Sequence, residues 1–212
     1  MKPSAEFWNR IAQKYASSPV ADMAAYDYTM ERTKAYLNEN DQVLELGCGT
    51  GTTALRLASS VKILVATDFA SEMINIANEK LRGSDIKNVV FQTSAADGIS
   101  EEDRQFDVVM GFNLFHLIKT PEEVFARISD HLKPGGYFIS KTVCKPGADA
   151  PLKFRLIKLV LPVMQWFGKA PFVNFMEIAE LEALIERSGF KIVETGNYPS
   201  APPNRFVVAQ KI

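Results

Sequence analysis

From residue 42 onward, short apolar runs of strand character alternate with stretches whose apolar residues recur at helical spacing. That alternation restricts the fold more than any other feature of the chain. Gln42-Val43-Leu44-Glu45-Leu46 reads as a strand that ends at Gly47, and Thr52 to Ser59 as a short helix. Lys62 to Thr67 is a continuous apolar run, the pattern of a strand buried on both faces of a parallel sheet. The next predicted helix has Ser71 as its N-cap, Met73, Ile74, Ala77 and Leu81 on one face, and Gly83 as its stop. Asn88 to Gln92 and Phe106 to Met110 read as the third and fourth strands. A helix with Thr120 as cap and Pro121 at its first position is predicted to end at Lys133-Pro134-Gly135-Gly136, before a fifth strand over Tyr137 to Cys144. This order predicts a parallel sheet with helices on both faces.

Near the end the pattern changes. Glu177 to Arg187 reads as a helix stopped at Gly189. Phe190 to Thr195 and Arg205 to Gln210 are strands joined by a turn-rich linker too short for a helix, so they are expected to pair antiparallel. The predicted organisation is one domain. It comprises an N-terminal helical cap (1–40), a core (41–144), an insert (145–176), and a C-terminal helix with a strand pair (177–212).

Charge and composition remove several functions. With 24 Lys plus Arg against 25 Asp plus Glu, the chain has no global basic footprint for nucleic acid. Two cysteines, Cys48 and Cys144, allow one bridge at most. Two histidines, His116 and His131, lack metal-ligand spacing, so no metal site is expected. The N-terminus has no apolar signal-type run, and no uncharged stretch approaches a membrane span, so a cytoplasmic protein is expected.

The chemistry concentrates at Glu45-Leu46-Gly47-Cys48-Gly49-Thr50-Gly51. Glycines at the carboxyl end of a strand let the chain turn sharply and let a ligand approach the backbone, and the following helix start offers free N–H groups. A dinucleotide fingerprint would need its third glycine at position 52, which is Thr, and a phosphate-binding G-K-[ST] is absent. Glu45 would repel a pyrophosphate and attract a cation such as a sulfonium carrying an ammonium group. Asp68, closing the second strand, can accept from the two hydroxyls of a ribose. Phe69 and Met73 can flank a flat base, although Met73 fits the helix's core stripe equally well.

In order along the chain, Glu45 to Gly51, Asp68-Phe-Ala-Ser-Glu-Met73, Phe106-Asp-Val-Val109 and Leu132-Lys-Pro-Gly-Gly136 resemble the class I S-adenosylmethionine (SAM)-dependent methyltransferases. The likeness is to the ubiquinone/menaquinone-type, small-molecule branch. Phe7 to Tyr15 resembles that branch's opening helix. The resemblance implies a doubly wound, Rossmann-like α/β sheet of seven strands, mostly parallel with an antiparallel last strand, plus N-terminal helices and a helical lid insert. It implies SAM as cofactor and S-adenosylhomocysteine (SAH) as product. The loop containing Gly47, Cys48 and Gly49 would hold the methionine part of SAM, with Glu45 near its amino group. Gly111 and Phe112, up to Asn113, would contact the same part through the backbone. Asp68 would bind the ribose, and Phe69 and Met73 would lie beside the adenine. Many relatives place an Asp after the third strand to accept from the adenine amino group. Here that position is Ala95, so either Asp97 reaches back or Ala96 backbone and packing hold the base.

Methyl transfer from an activated sulfonium rests mainly on positioning and water exclusion, and a base is needed only if the acceptor must lose a proton. His116 is the candidate base; it serves equally as a loop-filling residue. Tyr15 can close over the cofactor or simply pack. His131 has no assigned function. Residues 151–176 contain Lys153, Arg155, Lys158 and Lys169, no acid, and many apolar and aromatic side chains, with Pro162 predicted to break or kink the middle. This insert is expected to cover a small apolar acceptor, quinone-like or lipid-like, to touch a membrane surface, or to form a homodimer contact. The rival functions are a nicotinamide-dependent oxidoreductase on a similar sheet and a non-catalytic SAM-binding or membrane-associated protein.

Overall fold

The structure, a computed structural model, describes residues 3–96, 98, 105–146, 160–200 and 202–212. Its centre is a seven-stranded sheet: β1 (Gln42–Leu46), β2 (Ile63–Asp68), β3 (Val89–Thr93), β4 (Phe106–Phe112), β5 (Leu132–Val143), β6 (Phe190–Asn197) and β7 (Asn204–Lys211). The spatial order is β3-β2-β1-β4-β5-β7-β6. All pairings from β3 to β5 are parallel; β7 runs antiparallel to both β5 and β6. The terminal hairpin places its second strand between β5 and β6; the short linker accounts for the antiparallel β6–β7 pair, the sheet for which of the two meets β5.

Helices α1 (Pro3–Ser17), α2 (Met23–Lys34), α3 (Thr52–Leu57), α4 (Ser71–Arg82), α5 (Pro121–His131), α6 (160–166) and α7 (Ile178–Arg187) clothe the sheet. Because strand side chains alternate, each strand feeds two cores. Val43, Leu64, Val108, Ile139 and Phe206 pack toward α3, α4 and Met30 of α2. Leu44, Val65, Val109, Phe138 and Val207 pack toward α5 and α7. The second core holds an aromatic chain: Phe115–Phe125 at 4.9 Å, Phe115–Phe138 at 5.5 Å and Phe138–Phe190 at 5.6 Å between centroids.

Several local expectations are corrected. Ser71 is the first helical residue, and the cap position belongs to Ala70, whose extended backbone turns the chain without a side-chain bond. Thr120 occupies its cap position without a side-chain hydrogen bond. The helix α5 ends at His131, not at the Gly135-Gly136 pair, because Leu132 already pairs with Phe106 as the start of β5. Pro162 stands in the first turn of the described helix 160–166, and the residues before it, on which the expected break depends, lie outside the described residues. The two cysteines are free and buried. Asp97 and residues 151–159, with Lys153, Arg155 and Lys158, lie outside the described residues.

Candidate active site

The strand order reverses its direction of winding at β1 and β4, and in sheets of this kind ligands sit beyond the carboxyl ends at that point. The loop after β1 is held open by its own geometry. Gly47 has φ +65°, a conformation that favours glycine, and a Cβ there would fall 2.7 Å from Leu114 Cδ1 on the loop after β4, so a larger residue would also push the Leu114 side chain aside. Lys80 of α4 donates from Nζ to Thr50 Oγ1 (2.9 Å) and Thr52 Oγ1 (3.0 Å), which fixes the far side of the loop.

A cavity of about 340 Å³ opens at this edge. Glu45, Gly47, Cys48, Gly49 and Thr50 form one end, and Phe112, Asn113 and Lys141 line the side formed by β4 and β5. Tyr15 and the α1–α2 connection, Ser18 to Ala21, close over it, and Tyr26, Thr29 and Met30 of α2 complete the wall. The Tyr15 ring stands over Gly49, where an added Cβ would lie 3.6 Å from its Cε1.

Two carboxylates dominate the electrostatics. Glu45 is 2% exposed, and its Oε2 has no hydrogen-bond partner among the described residues. Burial, with Asp68 adding to it, raises its pKa to about 8. Asp68 accepts from the Gly49 N–H (3.0 Å) and the Ala70 N–H (2.9 Å), one at each oxygen. Burial nevertheless raises its pKa, the two backbone donors opposing. Tyr15 is raised by burial first and then by Asp68 and Glu45. Cys48 is raised well above the ordinary thiol value by burial, helped by the same two acids, so it is an unreactive thiol.

The cavity thus brings together Tyr15, Glu45, Gly47, Cys48, Gly49 and Phe112 of the residues expected from the sequence. Asp68 lies directly behind it through Gly49. Met73 is 2% exposed in a cluster with Ala12, Ala70 and Ile76, against Trp8, so its side chain belongs to the helix's core stripe. Phe69, Ala95, Ala96, Gly111 and His116 do not line this cavity. His116 sits in a 3-10 turn (Phe115–Leu117) after β4, and the insert's Asn174 N–H donates to its carbonyl at 2.6 Å. Burial lowers its pKa to about 4, which makes a neutral imidazole at neutral pH. Asn113, expected with Gly111 and Phe112, does line the cavity, whereas Thr29, Met30 and Lys141 line it without having been singled out by motif reading. For Lys141 the signal was there: it is the one charged residue in the run Tyr137 to Cys144 expected as the fifth strand.

A family model for the methyltransferase domain matches residues 9–195. The chain belongs to this methyltransferase family. Two curated relatives agree. A demethylmenaquinone methyltransferase of Leptospira interrogans is 29% identical, over 91% of this chain and 86% of its own. A ubiquinone biosynthesis O-methyltransferase of Rickettsia typhi is 28% identical, over 79% and 68%. A SAM-dependent methyltransferase structure from Methanosarcina mazei superposes with a TM-score of 0.70 at 21% identity, covering 85% of this chain and 97% of that one, and so supports the fold. As a member of this family, the methyltransferase uses SAM as its methyl donor and releases SAH. The oxidoreductase reading is set aside, in keeping with Thr52. The site fits SAM: a buried carboxylate oxygen without a donor suits an ammonium or sulfonium, and the glycine loop leaves backbone space for it.

Proposed function

We propose that the protein methylates a small apolar acceptor of quinone-like or lipid-like type. The observation that supports this most is the composition of the cover. Met30, Val20, Pro19 and Phe112 line the cavity, and the insert, held to α1 through Arg10, exposes Val160, Val163, Met164 and Trp166 of α6 with Phe167 just after it. The relatives named for demethylmenaquinone and ubiquinone chemistry point the same way.

In this reading Glu45 binds the amino group of SAM, the Gly47–Gly49 backbone its methionine part together with Gly111 and Phe112, and Asp68 the ribose. Phe69, Ala95 and Ala96, with Met73 behind them, bound the adenine. Tyr15 closes over the cofactor and excludes water. When bound, SAM supplies a methyl group already activated on a sulfonium sulfur. The chain's task is therefore alignment and desolvation. His116, neutral and covered by the returning insert, would take a proton only from an acceptor that must lose one. The N-terminal cap (1–40) and the insert (145–176) form the lid over the core (41–144), with residues 177–212 completing the sheet. Incubation with methyl-labelled SAM and cell extract is expected to label organic-extractable products. Labelling confined to sugars or peptides would overturn the acceptor class.

A second reading concerns where this happens. No helix among the described residues is long and apolar enough to cross a membrane. Trp166 and Phe167, however, are 87% and 67% exposed, beside the exposed Lys169. We propose that this end of α6 rests on the cytoplasmic face of an anionic membrane, where a bilayer-dissolved acceptor would enter. It is held to the cap by Arg10, which donates to the Gly168 carbonyl. The protein should co-sediment with vesicles containing phosphatidylserine, and W166S/F167S should lose most of that binding. No vesicle binding, or a homodimer in sedimentation equilibrium that W166S/F167S dissociates, would replace the membrane by a second copy.

A further inference from the structure

The cavity holds two buried ionisable side chains, an acid (Glu45) and a base, and the cofactor accounts for the first of them. Lys141 lies near the carboxyl end of β5, is 6% exposed, and lines the same cavity as Glu45. Among the described residues no ion pair involves it. Its surroundings are poor in water, burial lowers its pKa, and an anion arriving in the cavity would stabilise the charged form. The carboxylate acting on it from the protein is Asp22, whose side chain is already engaged as the cap of α2, accepting from the Ala25 N–H at 2.9 Å.

Its place in the sheet separates it from the cofactor's amino end. Glu45 pairs with Met110 and Met110 with Ile139, so Ile139 shares Glu45's row, two strands across. Lys141 is two residues further along β5, opposite Phe112. At ordinary strand spacing and rise, the two backbones are about 12 Å apart. In SAM the carboxylate and ammonium share one carbon, so an ammonium seated at Glu45 keeps that carboxylate close to β1. Lys141 faces the remaining volume, between Phe112, Asn113 and the wall of α2.

The geometry points to Lys141 as the recognition residue for an ionised oxygen on the acceptor, a carboxylate or aryl-oxide carried by an otherwise apolar body. This deepens the apolar-acceptor reading above and rests on it. The acceptor would lie with its ring or chain against Met30 and Phe112 and its oxygen on the ammonium. Such a charge-assisted contact in a water-poor pocket discriminates strongly against a neutral analogue of the same shape.

The test uses the full chain saturated with SAH and three probes followed by calorimetry: 2-naphthoate, its neutral isostere 2-naphthamide, and gluconate as a polar anion. Wild type should bind 2-naphthoate about tenfold or more tightly than 2-naphthamide. K141M should abolish that preference, K141R should keep most of it, and SAH affinity should stay within about threefold in all three proteins. Unchanged SAH binding also reports that the variants fold. Equal binding of the two naphthyl probes, or a preference that survives in K141M, would overturn the role of Lys141 and leave the apolar acceptor standing. Gluconate bound in a Lys141-dependent way, without either naphthyl probe, would keep Lys141 as the anion contact and overturn the apolar body. If no probe binds, both fail. A tenfold loss of SAH affinity in K141M would assign the ammonium to the cofactor carboxylate instead.

Discussion

Replacing Glu45 by Gln should weaken SAH binding at pH 8 by about 2–3 kcal/mol, roughly 30- to 150-fold, because a charge-assisted contact to the ligand's ammonium is lost. The pH dependence is the sharper signature. The Glu45 carboxyl titrates at about 8 in the free protein. Below that pH it is protonated, whereas the ammonium contact needs the carboxylate, so binding at pH 6–7 should release close to one proton. Affinity should rise about tenfold per pH unit up to pH 8, level off once Glu45 is ionised, and fall only at higher pH as the ligand's own amino group deprotonates. Calorimetry in buffers of different ionisation enthalpy reads the proton directly, and E45Q should release none. The stability of the free protein moves the other way. A carboxyl that ordinarily titrates at 4.5 and does so at about 8 when folded gives the native state one more bound proton between those values. The ligand-free melting temperature should therefore fall as pH rises from 5 to 8, and E45Q should flatten that fall. Proton release equal in wild type and E45Q would place the ammonium elsewhere.

Gly51→Ala should lower stability by about 3 kcal/mol. The residue caps α3 at φ +75°, a conformation that costs an L side chain about 1–2 kcal/mol. The added Cβ would also fall 2.5 Å from Phe91 Cζ and 2.9 Å from Ala77 Cβ. Phe91 and Ala77 are buried core residues of β3 and α4, so the clash falls on packed structure and adds about 1–3 kcal/mol. For a chain of this length the melting temperature should drop by roughly 6–12 °C. A drop under 2 °C would mean that the loop relaxes into free space, which the packing around Phe91 does not offer.

These two residues illustrate what could be read before any coordinates. Gly51 and Glu45 stand in a run whose residue types carry their own reasons: glycines where a chain must turn tightly, an acid where a cation binds. That the strands up to β5 run parallel with helices on both faces follows from alternation, and the antiparallel hairpin from a linker too short for a helix, whereas the strand order β3-β2-β1-β4-β5 is set by the tertiary structure. Capping was less legible. Ser71 has the right chemistry for a cap, but Ala70 takes the position because Asp68 accepts its N–H and fixes the turn. Met73 could not be divided between base and core from spacing alone, since the same helical face serves both; the structure adds that its side chain packs where α1 meets α4.

By itself the sequence determined the sheet, the glycine loop, the acid beside it and the cofactor class, because each depends on neighbours close in the chain or on residue type at one position. Only the tertiary structure decided what stands opposite. Lys141 faces the same cavity as Glu45 although 96 positions separate them. Met30 reaches that wall through α2, and Tyr15 covers Gly49 through α1. Such juxtapositions depend on strand register and on how helices dock across the sheet. Local propensity carries no record of either, since they are set by the burial of surfaces far apart in the chain.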